Sequence, residues 1–266
     1  MAKSTKETQT LTPKDVGTIT VVPGAPSQAP DLTQLGTGPQ NEAASLFLKE
    51  AKGHREAPSK IALIAINHKD GGFILPSGEC VPEVSGYPIL YFHTRKFYKK
   101  PPQAGQMGQP PDCWSADLVV PHNDSIEKQN PTCAGCPNNE WGTGRDGRSK
   151  ACAMPTWIFL LNPAFGNPPI GVVVAPSSSL RALVGTRFQS GYFAQAAARH
   201  GVYEIVWTTF KLEQHGGQVT YCTIDPVMGD AAPVEQVRQI AAIRNACLQA
   251  MEAFKGQPEM AAAETE

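Results

Sequence analysis

The chain has 266 residues, a formal net charge of −1 and 41% hydrophobic residues. That length suits one large domain or two small ones, and the hydrophobic content is sufficient for a buried core. The small net charge excludes a protein coated in basic residues but allows a local basic surface. No apolar run approaches the length of a membrane-spanning helix, and the first residues lead into no hydrophobic segment, so we expect a cytoplasmic protein with reduced cysteines.

The composition divides the chain into three parts. Residues 1–57 are rich in Thr, Pro, Gly, Gln and Ala, which is typical of a flexible arm. Residues 58–232 carry the strong strand and helix patterns and are predicted to form the main domain, with an insertion at 111–154. Residues 233–266 are predicted to form a C-terminal helix followed by a lightly acidic tail.

The main domain begins with a β-rich pattern. An apolar run at 61–66 predicts a buried strand, and Asp70, Gly71 and Gly72 predict the turn that leads into a second strand. The other strands predicted before the first helix are 73–75, 87–98, 156–161 and 170–174.

One long helix is predicted inside the main domain, over residues 180–200. Serines before it can cap its start, Gly201 can end it, and apolar residues recur along it at spacings of three and four. A hairpin of strands 202–212 and 219–224 follows, with glycines between the two strands. The last helix is predicted over 233–254.

Four of the seven cysteines lie in the segment 113–152, which is rich in glycine and polar residues. Cys133 and Cys136 have the C-x-x-C spacing of a zinc knuckle, because that turn brings two thiolates close enough for two corners of a tetrahedral site. Cys113 and Cys152 are the natural other two corners. Since the segment has no long apolar run, one structural zinc ion would replace the core that it lacks.

Other interpretations of these cysteines stay open. His122 could replace Cys113 as the fourth ligand. A redox C-x-x-C normally opens a helix in a βαβ pattern, whereas the residues after Cys136 are typical of a loop. A disulfide would need an oxidising compartment, which the lack of a signal-peptide pattern argues against. Inert thiols are the last alternative.

The sequence lacks the common catalytic motifs. It has no P-loop, dinucleotide-binding, zinc-protease or α/β-hydrolase signature, and its His and carboxylate residues are scattered. We therefore expect a protein that is not an enzyme. A zinc-dependent nucleic-acid enzyme would need an open metal site with a water, and four cysteines favour a closed site.

Two predicted strands combine aromatic and basic side chains. The stretch 91–100 contains four Lys or Arg and no acid, and alternate residues of a strand share a face. Single-stranded nucleic acid needs this combination, because rings stack on bases and cations track phosphates. The candidate nucleic-acid-binding residues are Tyr91, Arg95, Lys96, Phe97, Tyr98, Lys99, Lys100, Trp207, Phe210 and Lys211. The alternative is that the rings belong to the core and the lysines keep an edge strand soluble.

The cysteine segment carries a resemblance to a known family. Residues 131–142 (Pro-Thr-Cys-Ala-Gly-Cys-Pro-Asn-Asn-Glu-Trp-Gly), then 147–152 (Gly-Arg-Ser-Lys-Ala-Cys) and an apolar strand, resemble bacteriophage single-stranded DNA-binding proteins of the zinc-containing OB-fold type. The resemblance is strongest over about 85–225. It implies a mainly β fold, an OB-like barrel with one internal helix, an inserted zinc loop and a C-terminal helix. The metal ligands that it implies are Cys113, Cys133, Cys136 and Cys152.

The resemblance also implies a function. Such proteins hold single-stranded DNA in a basic, aromatic cleft, and their acidic C-terminal tail recruits replication and recombination partners. We therefore expect sequence-independent binding that supports phage DNA replication or recombination in the host cytoplasm. Two features depart from this pattern: the tail at 259–266 is only lightly acidic, and the near-neutral net charge predicts modest affinity at physiological salt. The alternative function is a zinc-containing protein-interaction or transcription-regulating module that acts on a host protein.

Overall fold

A computed structural model gives the three-dimensional structure of the chain. It describes residues 62–100, 110–166, 169–216 and 220–255. The predicted flexible arm and the predicted acidic tail lie outside the described residues.

Most of the described strands belong to one large β-sheet, and the predicted mainly β fold is confirmed. In chain order the strands are β1 (Ala62–Asn67), β2 (Gly72–Ile74), β3 (Cys80–Val81), β4 (Glu83–His93), β5 (Arg95–Phe97), β6 (Cys113–Ser115), β7 (Thr156–Leu161), β8 (Ile170–Ala175), β9 (Gly185–Thr186), β10 (Gln189–Ser190), β11 (Val206–His215) and β12 (Tyr221–Ala231). Eight of them form a curled half-barrel in the order β12, β11, β4, β7, β8, β1, β2 and β3. Within it β1 and β8 pair in parallel, and the other neighbours pair antiparallel.

Helices cover the sheet on both faces. The described helices are α1 (Leu180–Leu183), α2 (Tyr192–His200) and α3 (Val234–Lys255), and short 3₁₀ turns lie at Pro137–Asn139, Pro163–Phe165 and Ser177–Ser179. No described helix is both long enough and apolar enough to cross a membrane. The helix predicted over 233–254 corresponds to α3.

The central strand β7 shows why two hydrophobic cores form. Its side chains alternate between the faces of the sheet, so Trp157 and Phe159 join one core while Ile158 joins the other. The first core includes Ile240 of α3, and the second includes Tyr192 of α2. Every residue of β7 is buried, because the sheet is covered on both faces.

The single helix predicted over 180–200 is wrong. The structure has α1, then a small hairpin of β9 and β10, then α2. Gly185 has φ +99°, which ends α1, and its backbone approaches that of Gly191 so closely that a side chain on either residue would overlap the other. Phe188 is one of the apolar residues whose spacing predicted that helix, and it is instead exposed on the hairpin.

The strand predicted over 87–98 is divided in two. β4 ends at His93, and the buried Thr94 follows, whose amide donates to Pro155 and whose hydroxyl accepts a 3.2 Å hydrogen bond from Trp157 Nε1. Beyond Thr94 the chain leaves the large sheet, and β5 pairs with β6 instead. The basic half of the predicted strand therefore belongs to the cysteine segment.

Candidate metal and nucleic-acid site

Strand β5 lies between the two ends of the cysteine segment. On one side it pairs with β6, which sets Phe97 opposite Cys113. On the other side Lys96 forms a β-bridge with Ala153, the residue after Cys152, through two backbone hydrogen bonds of 2.9 and 3.0 Å. Sequence positions forty residues apart are thus joined through one short strand.

The four cysteines predicted as metal ligands line one cavity of about 20 Å³. Cys133 and Cys136 are buried, and Cys113 and Cys152 are half-buried. The volume holds about one water-sized particle. Across the described ranges, no group of three or more His, Cys, Asp and Glu side chains has the arrangement of a metal site. The structure therefore gathers the four thiols around one small space without converging their sulfur atoms.

Burial controls the ionisation of the thiols in this cavity. It raises the pKa of Cys152 to about 11 and also raises the pKa of Cys133. The Arg95 guanidinium, which is hydrogen-bonded to Cys152, acts in the opposite direction on the pKa of both thiols. Neighbouring cysteines raise both pKa values further, because like charges disfavour ionisation.

Arg95 is the cation of the cavity. Its Nη1 donates a 2.6 Å hydrogen bond to Asn139, whereas its buried Nε has no acceptor among the described residues. A buried N–H without an acceptor is costly, and a cysteine thiolate could accept from it. Of the side chains that line the cavity, the four thiols are donors that suit zinc, whereas magnesium and calcium prefer oxygen donors.

His122, the alternative fourth ligand, has a different role. Its ring stacks on Trp114, with 3.9 Å between the ring centroids and 18° between the planes. Its Nδ1 accepts a hydrogen bond of 3.2 Å from the amide of Asp124. The cavity is lined by Cys113 and not by His122.

Turns rather than a core shape the loop around the cysteines. The Asn139 side chain connects three parts of it: Oδ1 accepts from Arg95 and, at 3.2 Å, from Lys150 Nζ, while Nδ2 donates to the carbonyl of Cys133 at 3.0 Å. Asp146 closes a second turn, because its carboxylate accepts from Arg148 and Ser149, and these hydrogen bonds lower its pKa to about 2.

Three of the predicted base-stacking rings lie in or against the hydrophobic core. Phe210 is fully buried and cannot reach a base, so its assignment to the nucleic-acid site is wrong. Tyr91 stacks on Phe193 at 4.0 Å, and Trp207 packs edge-on against Tyr87 at 5.1 Å. The sequence could not distinguish these buried rings from exposed ones. Side chains alternate between the two faces of a strand in the same way whether a face is covered by a helix or open to a ligand.

Of the other predicted residues, Lys211 lies on β11, and the rest lie on or beside β5. Arg95 and Phe97 line the cysteine cavity, and Lys96 lies over the ring of Trp157 with 5.1 Å to the centroid. Tyr98 is half-buried. The remaining three candidates are exposed lysines: Lys99, which pairs with Glu127, Lys211, which pairs with Glu83, and Lys100.

The two most exposed aromatic rings of the described residues were missed by the prediction. Trp141 in the cysteine loop is 76% exposed, and Phe188 on the β9–β10 hairpin is 89% exposed. Each has a cation over it, Lys150 at 5.5 Å and Arg187 at 5.5 Å. The signal for Trp141 was present in the sequence, since a tryptophan among glycines and polar residues has no apolar neighbours to pack with.

No protein-family model, curated protein or solved structure matches this chain.

Proposed function

We propose that this chain is a non-enzymatic, sequence-independent single-stranded DNA-binding protein whose basic strand is held by one structural zinc ion. One observation carries the proposal: β5, which bears the basic stretch, is hydrogen-bonded between the two ends of the cysteine segment. A metal at the cavity would therefore fix the position of the cations that meet the phosphates.

The zinc ligands in this proposal are Cys113, Cys133, Cys136 and Cys152. Their support is the shared cavity, its small volume and the buried Nε of Arg95, which needs an acceptor. Zinc bound by four thiolates would carry net negative charge, and Arg95 and Lys150 supply cations beside it. Bound zinc would supply folding energy to a loop without a core and leave no open position for chemistry.

The DNA-binding part of the proposal depends on exposed cations rather than on the buried rings. Lys99 and Lys100 continue from β5 into solvent, and Lys96 adjoins them. Phosphate contacts of this kind bind every sequence alike and weaken as salt rises. A site of a few lysines predicts modest affinity, in agreement with the near-neutral net charge.

The biological role in this proposal rests on the resemblance of the cysteine segment to the phage proteins. It supports a role in phage DNA replication or recombination in the host cytoplasm, with the C-terminal tail as a contact for other proteins. The curled half-barrel is compatible with an OB-type relationship in its architecture, although an OB fold has five strands and this sheet has eight.

The experiment is a titration of a fluorescently labelled oligo-dT with the purified protein at several salt concentrations. We expect saturable binding that weakens with salt, little difference between oligo-dT and a mixed sequence, and poor competition by duplex DNA. Absence of binding at low salt, or equal binding of duplex and single strand, would overturn the proposal.

A second candidate function is a protein-interaction or transcription-regulating module. The observation that favours it is a group of exposed aliphatic side chains in the cysteine segment, Val119, Val120 and Ile126. Exposed aliphatic groups favour protein partners over phosphate backbones. This candidate predicts no oligonucleotide binding at low salt, so the same titration separates the two functions.

A further inference from the structure

Trp141 is an exposed indole in a loop whose other contacts are polar. It lies beyond the 3₁₀ turn Pro137–Asn139, and 76% of it is accessible to solvent. An indole exposed to this degree has a face on which the flat group of a ligand can stack.

The ring is connected to the basic strand. Lys150 Nζ lies 5.5 Å from the ring centroid and donates at 3.2 Å to Asn139 Oδ1. The same oxygen accepts from Arg95 of β5. Trp141 is therefore linked through Lys150 and Asn139 to Arg95 on β5, the strand from which the lysines assigned to phosphates continue. The order from β5 outward is cation, amide, cation, ring.

The nature of the ligand follows from this order. A flat ring with a cation over one face and further cations beside it suits a flat group attached to an anion. A base on its phosphate backbone has this chemistry, whereas an aliphatic peptide has no charge for the cations to pair with. Arg145 and Arg148, exposed in the same loop, add positive charge to it.

We infer that Trp141 is the base-stacking residue of the single-stranded DNA site and that Lys150, together with Lys96, Lys99 and Lys100 on and beyond β5, binds the adjoining phosphates. The inference rests on the proposed function and replaces the buried ring of Phe210 and the half-buried ring of Tyr91 as the source of stacking. It makes the cysteine loop part of the binding surface itself, in addition to its structural role.

Intrinsic fluorescence tests this directly. Trp114 and Trp157 are buried and Trp207 is half-buried, so Trp141 is the most exposed described tryptophan. Oligo-dT should quench the emission of the wild-type protein in a saturable manner, and Trp141→Phe should lose most of that quenching while it keeps much of the affinity, because phenylalanine also stacks.

The matched variants measure affinity by fluorescence anisotropy. Trp141→Ala should weaken oligo-dT binding by about 5- to 100-fold, with an unchanged salt slope, since a ring and no cation is removed. Its melting temperature and metal content should equal those of the wild type. Phe188→Ala, which removes a more exposed ring from the β9–β10 hairpin, should leave the affinity unchanged.

Each other outcome is decisive. If the wild type binds oligo-dT but Trp141→Ala binds equally well, the inference is overturned and the proposed function stands. If Phe188→Ala loses as much affinity as Trp141→Ala, stacking is not specific to the cysteine loop, and the inference is again overturned. If the wild type does not bind oligo-dT at low salt, the proposed function itself fails and this inference fails with it.

Discussion

Arg95 and Asn139 are joined by a 2.6 Å hydrogen bond from a guanidinium nitrogen to an amide oxygen. The bond connects β5 to the turn that follows Cys136, and the Asn139 amide nitrogen continues it to the carbonyl of Cys133. One short polar side chain therefore fixes the C-x-x-C turn relative to the basic strand. In a loop without a hydrophobic core, such contacts hold the parts together.

Asn139→Ala should lower the free energy of unfolding by about 1–3 kcal/mol, because it removes the acceptor of Arg95 Nη1 and the side-chain donor to the carbonyl of Cys133. Denaturant unfolding of the metal-loaded protein measures the change. The control is Asn123→Ala: Asn123 is exposed and accepts one hydrogen bond from Lys128, so its removal should change stability by less than about 0.5 kcal/mol. Equal effects of the two substitutions would contradict the role of Asn139.

Metal content is the second prediction. Protein purified without chelator should contain one zinc ion per chain, and Cys133→Ser or Cys136→Ser should lose it and destabilise the loop. Cys80→Ser is the matched control, because Cys80 is exposed and lies on β3, outside the cavity lining. Elemental analysis that finds no zinc in the wild type would remove the metal from the proposal.

The elements that depend on a local sequence pattern could be predicted. The β9–β10 hairpin, which depends on a close approach of two backbone segments, was missed. Strands β1, β2, β7 and β8 follow from apolar runs and turn residues next to them. The apolar spacing from 180 to 200 fits a helix, yet Gly185 and Gly191 allow two backbone segments to touch, and the hairpin between them replaces the middle of that helix. The spacing of apolar residues along a helix gives no information about a contact between two backbone segments.

Substitution of Gly185 by alanine should therefore destabilise the protein more than the same substitution of Gly201. Both have positive φ, +99° and +86°, so an alanine at either position costs about 1–2 kcal/mol in backbone strain. Only at Gly185 would the new Cβ overlap backbone atoms, those of Gln189 and Gly191, whereas nothing lies near it at Gly201. Gly185→Ala should accordingly lower the melting temperature well beyond Gly201→Ala, and a similar loss for the two would argue against the hairpin.

In the candidate site, too, some residues could be predicted from the sequence and others could not. The four cysteines could be predicted together because their spacing and their glycine-rich, core-free surroundings are local properties of the sequence. The rings could not, because burial depends on which face α2 and α3 cover. Phe210 and Lys211 are neighbours in β11, and one is fully buried while the other is exposed.

The last prediction concerns the cations beyond β5. Lys100→Ala should weaken binding equally for every DNA sequence and flatten the salt slope by about 0.7, the value for one phosphate contact in a single strand. Lys99 differs, because it pairs with Glu127, and its hydrogen bond holds the pKa of that carboxyl below the usual value. Glu127→Gln should therefore free a cation, tighten binding and steepen the slope.

Weaker binding by Lys100→Ala and tighter binding by Glu127→Gln would distinguish a phosphate site from lysines that only keep the surface soluble. Lys69→Ala is the control, since Lys69 is exposed in the turn between β1 and β2 and should leave the slope unchanged. Anisotropy titrations of oligo-dT over a range of salt give each slope. If Lys100→Ala and Lys69→Ala behave alike and Glu127→Gln has no effect, the basic stretch makes no phosphate contact, and the DNA must bind elsewhere on the protein.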